Sequence, residues 1–126
     1  MSDQYTLKQV EILGGVLEYI YIPGEKDLPT LVMLHEGLGS ISTWKEFPKQ
    51  ISSTIRNPIL LYSRHGYGSS SFIKQRFCGS YMHDEALKVL PALISRLKLN
   101  RIILYGHSDG ASIAAIFAGS KPTIII

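Results

Sequence analysis

The segment from residue 101 to residue 115 restricts the fold more than any other part of the chain. Four apolar residues at 102–105 run directly into Gly106-His107-Ser108-Asp109-Gly110, and small apolar residues follow. This pattern predicts a buried strand, a very tight turn and a helix. Glycine flanks the turn on both sides because a Cβ at either place would collide with the neighbouring strand or helix.

A turn of this kind indicates a nucleophile elbow. Ser108 is predicted to lie at the tip in a strained backbone conformation, so that its hydroxyl projects into a cleft. The helix that begins near Asp109 points backbone N–H groups and a partial positive charge towards that hydroxyl. The N–H of Asp109 could then stabilise an oxyanion. The alternative is a glycine-bordered turn with an ordinary helix-capping serine.

Composition limits the class of protein. The chain has 126 residues, of which 45% are hydrophobic and 18% charged, which predicts one small folded domain. The net charge of +3 comes from scattered basic residues, so no nucleic-acid partner is expected. The single Cys78 suits a reducing cytoplasm. Neither a secretory leader pattern nor an apolar run long enough for a membrane span is present.

Strand and helix patterns alternate along the chain. The predicted strands cover residues 6–12, 15–22, 30–34, 59–62, 101–105 and 122–126, and the predicted helices cover 42–55, 80–98 and 109–118. Pro48 marks a kink or a split in the first helix, and Pro91 an irregularity in the second. The order predicts an α/β fold, with a mostly parallel sheet, helices on both faces and an antiparallel N-terminal hairpin at the edge. Gly14-Gly15 is the predicted hairpin turn.

Glycine-rich loops follow three of the predicted parallel strands. They cover residues 35–40, 63–71 and 106–110, and residues 72–78 are predicted to continue the second as an unpatterned loop. Right-handed crossovers bring the loops after parallel strands to one edge of the sheet. The three loops are therefore expected to converge on a single site.

These loops carry a family resemblance. The residues are Leu34-His35-Glu36-Gly37-Leu38-Gly39-Ser40 with Trp44, then Tyr62-Ser63-Arg64-His65-Gly66-Tyr67-Gly68-Ser69-Ser70, then Gly106-His107-Ser108-Asp109-Gly110. From residue 16 to residue 126 the chain resembles the N-terminal half of an α/β-hydrolase. The resemblance implies a serine hydrolase that cleaves an ester, a lactone or a related acyl bond of a small-molecule substrate through an acyl-serine intermediate.

The same resemblance implies roles for individual residues. Ser108 would be the nucleophile, and the oxyanion hole would consist of the N–H groups of Asp109 and Gly37. Glu36 stands where the family usually has glycine, so Glu36 and Leu38 remain alternative donors. His35 would be a structural hydrogen-bonding residue.

The acid and the histidine of a catalytic triad follow the nucleophile in this family. After Ser108 the chain contains Asp109 and no other Asp, Glu or His. All four histidines precede Ser108, and His65 is the only one that we consider as a substitute base. Because the chain ends within the predicted strand 122–126, we expect residues 1–126 to form a single truncated domain. A second polypeptide or self-association could complete the sheet.

Two functions therefore remain open from the sequence. The first is a hydrolase whose acid and base lie elsewhere, and the second is a non-catalytic hydrolase-like protein or binding module. Arg64 could bind an anionic substrate or serve the structure, and Trp44 could line a pocket or pack the first helix on the sheet. We find no metal-ligand spacing and no cofactor motif, and we expect no membrane partner.

Overall fold

The computed structural model describes residues 6–36, 39–65, 68, 70 and 81–120. They form one mixed sheet with the strand order β1-β2-β4-β3-β5. The strands are β1 (Lys8–Ile12), β2 (Gly15–Ile22), β3 (Thr30–Leu34), β4 (Ile59–Tyr62) and β5 (Ile102–Gly106). β2 pairs antiparallel with β1 and β4, whereas β3 runs parallel to β4 and β5. The predicted α/β class with an antiparallel N-terminal edge is confirmed.

The hairpin turn between β1 and β2 differs from its prediction. Leu13 and Gly14 form the turn with φ values of 52° and 83°, and Gly15 is already the first residue of β2, opposite Ile12. Two successive residues with positive φ match the right-handed twist of the flanking strands in a tight hairpin. The prediction of Gly14-Gly15 was therefore wrong by one residue, because the strand pairing requires Gly15.

Helices cover both faces of the sheet, as predicted. Residues of β3 alternate between the two faces, so that Val32 and Leu34 join one hydrophobic cluster and Met33 joins the other. The first cluster contains Leu93 from the helix that precedes β5 in the chain and Ile113 from the helix that follows β5. The short helices after β3 cover the second cluster. The central parallel strands are thus shielded from water on both sides.

The predicted helix 42–55 is split into two pieces. A 3₁₀ helix, Ile41–Trp44, is followed by α1 (Phe47–Ser52), and Lys45 between them has a φ of 53°. Pro48 lies in the first turn of α1. A proline is tolerated there because the N–H that it lacks would have no partner within the helix. The split that Pro48 suggested is confirmed, although the break precedes the proline.

The predicted helix 80–98 consists of α2 (Tyr81–Asp84), a π turn (Glu85–Val89) and α3 (Leu90–Arg96). In the π turn the Leu90 N–H donates to the carbonyl of Glu85, five residues earlier. Pro91 follows directly and has no N–H to donate, which is the expected irregularity. The final helix, α4 (Asp109–Gly119), begins immediately after the elbow.

Two sequence predictions, the loop 72–78 and the strand 122–126, lie outside the described residues. Within the described part of the chain, no helix combines the length and the apolar character that crossing a bilayer requires. The cytoplasmic location stays a prediction.

Candidate active site

Ser108 lies between β5 and α4 in a strained backbone conformation. Its φ is 57° and its ψ is −116°, in the half of φ space that residues with a side chain avoid. Hydrogen bonds hold the turn on both sides: the His107 N–H donates to the Leu34 carbonyl at 3.2 Å, and the Ala111 N–H donates to the Ser108 carbonyl at 2.9 Å. The strain predicted for this position is therefore present.

The two glycines of the turn are needed for close backbone approach. A Cβ on Gly106 would meet the backbone of Gly110, and a Cβ on Gly110 would meet the carbonyl of Leu34 on β3. Neither φ is positive, so the reason is space and not backbone conformation. The turn thus packs α4 directly against the end of β3.

Replacing the serine by glycine is expected to stabilise the fold. Strain of this kind costs roughly 1–3 kcal/mol, and glycine relieves it for an entropic cost of roughly 0.5–1 kcal/mol. Ser108→Gly should therefore raise the free energy of unfolding by roughly 1 kcal/mol in urea titrations, and Ser108→Ala, which keeps the strain, should not. Equal stabilities of the two variants would contradict this prediction.

His35 is held by hydrogen bonds at both ring nitrogens. Its Nδ1–H donates to the Glu36 carbonyl at 2.6 Å, and its Nε2 accepts the Arg64 N–H at 3.0 Å. The ring is only 1% exposed, and burial, together with the charge of the Arg64 guanidinium, lowers the pKa of His35 to about 4. A neutral, fully engaged imidazole suits the structural role that the resemblance implies.

The Arg64 side chain joins all three loops. Its Nη1 donates to the His35 carbonyl at 3.0 Å, its Nη2 donates to the Glu36 carbonyl at 3.2 Å, and its Nη2 lies 3.9 Å from Asp109 Oδ2. The predicted convergence of the loops is confirmed for their described residues. Arg64 is 4% exposed, so these contacts favour the structural role over binding of an anionic substrate.

His65 does not fit the role of a substitute base. The ring is buried, and its Nε2 lies 3.0 Å from the carbonyl of Ile12 on β1. Its Nδ1 has no hydrogen-bond partner among the described residues, and burial lowers the pKa of His65. β1 and β5 are the opposite edges of the sheet, so the ring is engaged far from the strand that leads to Ser108.

A cavity of about 280 Å³ opens beside the elbow. Its walls are Glu36, Thr43, Trp44, Phe47, Tyr105 and His107. The Trp44 ring centroid lies 6.0 Å from that of Phe47 and 5.7 Å from that of Tyr105 on β5. Trp44 thus does both things that the sequence left open: it lines a cavity and it packs the 3₁₀ helix against the sheet.

Two carboxylate contacts near the loops had no signal in the sequence. His107 Nδ1 lies 3.1 Å from Glu36 Oε1 at the cavity wall. The Tyr62 hydroxyl donates to Glu85 Oε2 at 2.5 Å in the core. Burial raises the pKa of Glu85 to about 7, although the Tyr62 hydrogen bond and the Arg64 charge act in the opposite direction.

The remaining predicted site residues are only partly placed. Asp109 is the first residue of α4, so its N–H lies at the positive end of that helix. Gly37 and Leu38 lie outside the described residues. In the described part of the chain, no group of three His, Cys, Asp or Glu side chains could hold a metal ion.

Curated relatives of the chain are peptidases. The chain is 33% identical over 104 residues to a proline iminopeptidase from Lactobacillus helveticus, which covers 82% of the chain and 35% of the relative. It is 30% identical over 105 residues to a proline iminopeptidase from Lactobacillus delbrueckii subsp. lactis, with 82% and 36% covered. The chain thus spans about a third of the length of these relatives. No protein-family model matches it.

Solved structures with the same fold include several hydrolases. An α/β hydrolase from Novosphingobium aromaticivorans superposes with a TM-score of 0.83 at 17% identity, over 99% of this chain and 43% of that one. A haloalkane dehalogenase from Bradyrhizobium elkani superposes with a TM-score of 0.77 at 25% identity, over 95% and 39%. The sheet order, the elbow and these similarities together show that the chain has an α/β-hydrolase fold.

Proposed function

We propose that this chain provides the nucleophile and the oxyanion hole of a serine hydrolase that cleaves an ester, a lactone or a related acyl bond. The observation that carries the proposal is the backbone of Ser108, with a φ of 57° and a ψ of −116° between β5 and α4. A serine that only caps a helix takes an ordinary extended conformation and needs no strain. Strain at a non-glycine residue clusters at functional sites.

The proposed reaction follows from this arrangement. Ser108 Oγ attacks the carbonyl carbon while its proton passes to a base, and the negative charge develops on the carbonyl oxygen. The Asp109 N–H and the predicted second donor, Gly37, stabilise that oxyanion. The leaving group departs with the proton, and water then hydrolyses the acyl-serine by the same steps in reverse order.

The base is neither His35 nor His65. Both ring nitrogens of His35 are engaged, and His65 binds to β1. A serine without its base loses about 10⁴-fold or more in rate. We therefore infer that a second polypeptide, or further sequence of the same protein, supplies the base and its acid partner.

The substrates to test include a peptide bond. The curated relatives are proline iminopeptidases, so esters, lactones and an N-terminal prolyl amide form the first panel. All of these share an acyl carbon that an acyl-serine intermediate requires. Among them, the prolyl amide is the substrate that the relatives' name suggests.

A serine-reactive probe tests the proposal directly. When the polypeptide or further sequence that supplies the base is present, we expect a fluorophosphonate to label the folded chain at one site, with a mass shift that disappears in Ser108→Ala. Labelling would show that a base reaches Ser108. No labelling of a folded wild-type chain, alone and with the candidate partner polypeptide, would overturn the proposal.

A second function is favoured by one observation. Neither His35 nor His65 is placed to activate Ser108, while a cavity of about 280 Å³ opens beside the elbow. A hydrolase-like binding module would show this combination. It predicts saturable binding of a small molecule with no labelling of Ser108.

A further inference from the structure

The cavity beside the elbow has an apolar side and a polar side. Trp44, Phe47 and Tyr105 form the apolar side, and each pair of their ring centroids lies 5.6–6.0 Å apart. Glu36 and His107 belong to the polar side. The volume of about 280 Å³ is at the lower end of the range for ligand pockets, so the cavity suits a small ligand.

The Glu36 carboxylate can accept a further hydrogen-bond donor. Its Oε1 lies 3.1 Å from His107 Nδ1, and the side chain is 43% exposed, so a ligand in the cavity can reach it. A carboxylate offers about four lone-pair sites on its two oxygen atoms, and the contact with His107 leaves room for another donor. The Thr43 hydroxyl is already used, because it donates to the Ser40 carbonyl at 2.7 Å and accepts the Ser40 N–H at 3.2 Å.

These walls favour a positive charge on the ligand. A ligand that fills the cavity removes water from the Glu36 carboxylate, and a neutral apolar ligand would leave that charge without compensation. An anionic ligand would add repulsion. A protonated amine instead donates charge-assisted hydrogen bonds to the carboxylate, while its apolar part is buried against the aromatic rings. Aromatic rings can themselves attract a cation.

We propose that this cavity binds a small organic ammonium ion, with Glu36 as its counter-charge and the three rings as the surface for its apolar part. The proposal deepens the proposed function and rests on it for its catalytic meaning. Because His107 directly precedes Ser108, an amine bound at this wall lies next to the predicted nucleophile. The preferred substrates are therefore acyl compounds that carry a free amine near the acyl carbon.

The fluorescence of Trp44 reports directly on the cavity, because Trp44 is the single tryptophan of the chain. Three ligands of similar size separate charge from shape: cyclohexylammonium, neutral cyclohexanol and cyclohexanecarboxylate. In titrations at pH 7 we expect a saturable change in Trp44 emission with the ammonium. It should bind about 10-fold more tightly than the alcohol, and the carboxylate should not saturate the signal.

Glu36→Gln tests the counter-charge. The amide has nearly the same shape without the charge, so the preference for the ammonium over the alcohol should fall below about twofold. Glu46→Gln is the matched control, because it changes the net charge equally at a side chain that is 73% exposed and is not among the described walls of the cavity. This control should keep the preference of about 10-fold.

Several results would overturn the proposal: equal affinities for the three ligands, no saturable change with any of them, a preference that survives Glu36→Gln, or an equal loss in Glu46→Gln. The three ligands decide it on the wild-type chain if Glu36→Gln does not fold. Binding is measured without catalysis, so the two proposals fail separately. An ammonium preference without any fluorophosphonate labelling rejects the proposed function alone, and labelling without that preference rejects the ammonium site alone.

Discussion

Gly110→Ala is expected to lower the free energy of unfolding by about 3 kcal/mol or more. Gly110 is the second residue of α4, where alanine would ordinarily gain up to about 1 kcal/mol over glycine. Here the new methyl group would meet the carbonyl of Leu34 and the backbone of His35. Backbone atoms at the end of a central strand cannot move aside as a flexible side chain can, so the steric cost outweighs the helix propensity.

Gly119→Ala is the matched control in the same helix. It is the last residue of α4, and a Cβ there meets nothing within 4 Å. We expect it to raise the free energy of unfolding by up to about 1 kcal/mol. Urea titrations followed by circular dichroism measure both variants against the wild-type chain. A Gly110→Ala variant that is as stable as the wild type would contradict the close packing of α4 on β3.

The second large effect is the dependence of stability on pH, to which Glu85 contributes. The pKa of Glu85 is about 7 in the folded chain against 4.5 as its ordinary value, so the folded state favours the protonated acid. This contribution to stability is complete below pH 4.5 and is lost as the pH rises through 7. The whole change amounts to about 3 kcal/mol.

His35 acts in the opposite direction. Its pKa is about 4 in the folded chain against 6.5 as its ordinary value, so the folded state favours the neutral ring. The stability from this group is complete above pH 6.5 and is lost as the pH falls through 4, again by about 3 kcal/mol. As the pH rises from 4.5 to 6.5, the wild-type chain loses stability through Glu85 and gains a nearly equal amount through His35. These two groups together therefore leave its stability almost independent of pH in this range.

Glu85→Gln removes one of these contributions and reveals the other. The amide keeps a partner for the Tyr62 hydroxyl and cannot ionise. At about pH 4 the variant should match the wild type, and at pH 8 it should be more stable by about 3 kcal/mol. Below pH 6.5 it should lose stability steadily, because nothing then offsets His35. Urea midpoints at several pH values measure this, with Glu11→Gln as the matched substitution of an exposed glutamate. Parallel profiles for Glu85→Gln and the wild type would contradict the assignment to Glu85.

Most of the fold could be predicted because its signals are local. Residues 30–34 and 59–62 are short apolar runs, and each forms a buried strand with the predicted bounds. The spacing of Gly106 and Gly110 predicted the elbow, because neither position has space for a Cβ beside the neighbouring backbone. The one-residue error at Gly14 has a different origin: two adjacent glycines both fit a turn, and only pairing with β1 decides which of them belongs to the strand.

The electrostatic part of the site could not be predicted in the same way. Tyr62 and Glu85 are 23 residues apart, and Glu36 and His107 are still further apart in the chain. Neither pair has a motif, and a glutamate in a helix is usually exposed to solvent. The sequence left two roles open for Arg64, substrate binding and a structural role. Its position shows that it lies in a loop after a strand but does not show the direction of the side chain. Its contacts with the His35 and Glu36 carbonyls depend on how the loops pack.

The strand order has a consequence for synthesis on the ribosome. The central strand β3 has β4 on one side and β5 on the other, and β5 ends only at Gly106. At ordinary translation rates of about 5–20 residues per second, roughly 4–14 s pass between the end of β3 and the end of β5. During that time the apolar side chains of Val32 and Leu34 cannot be fully enclosed, because their cluster includes Ile102 of β5. We therefore expect a chaperone that binds the nascent chain to contact this strand.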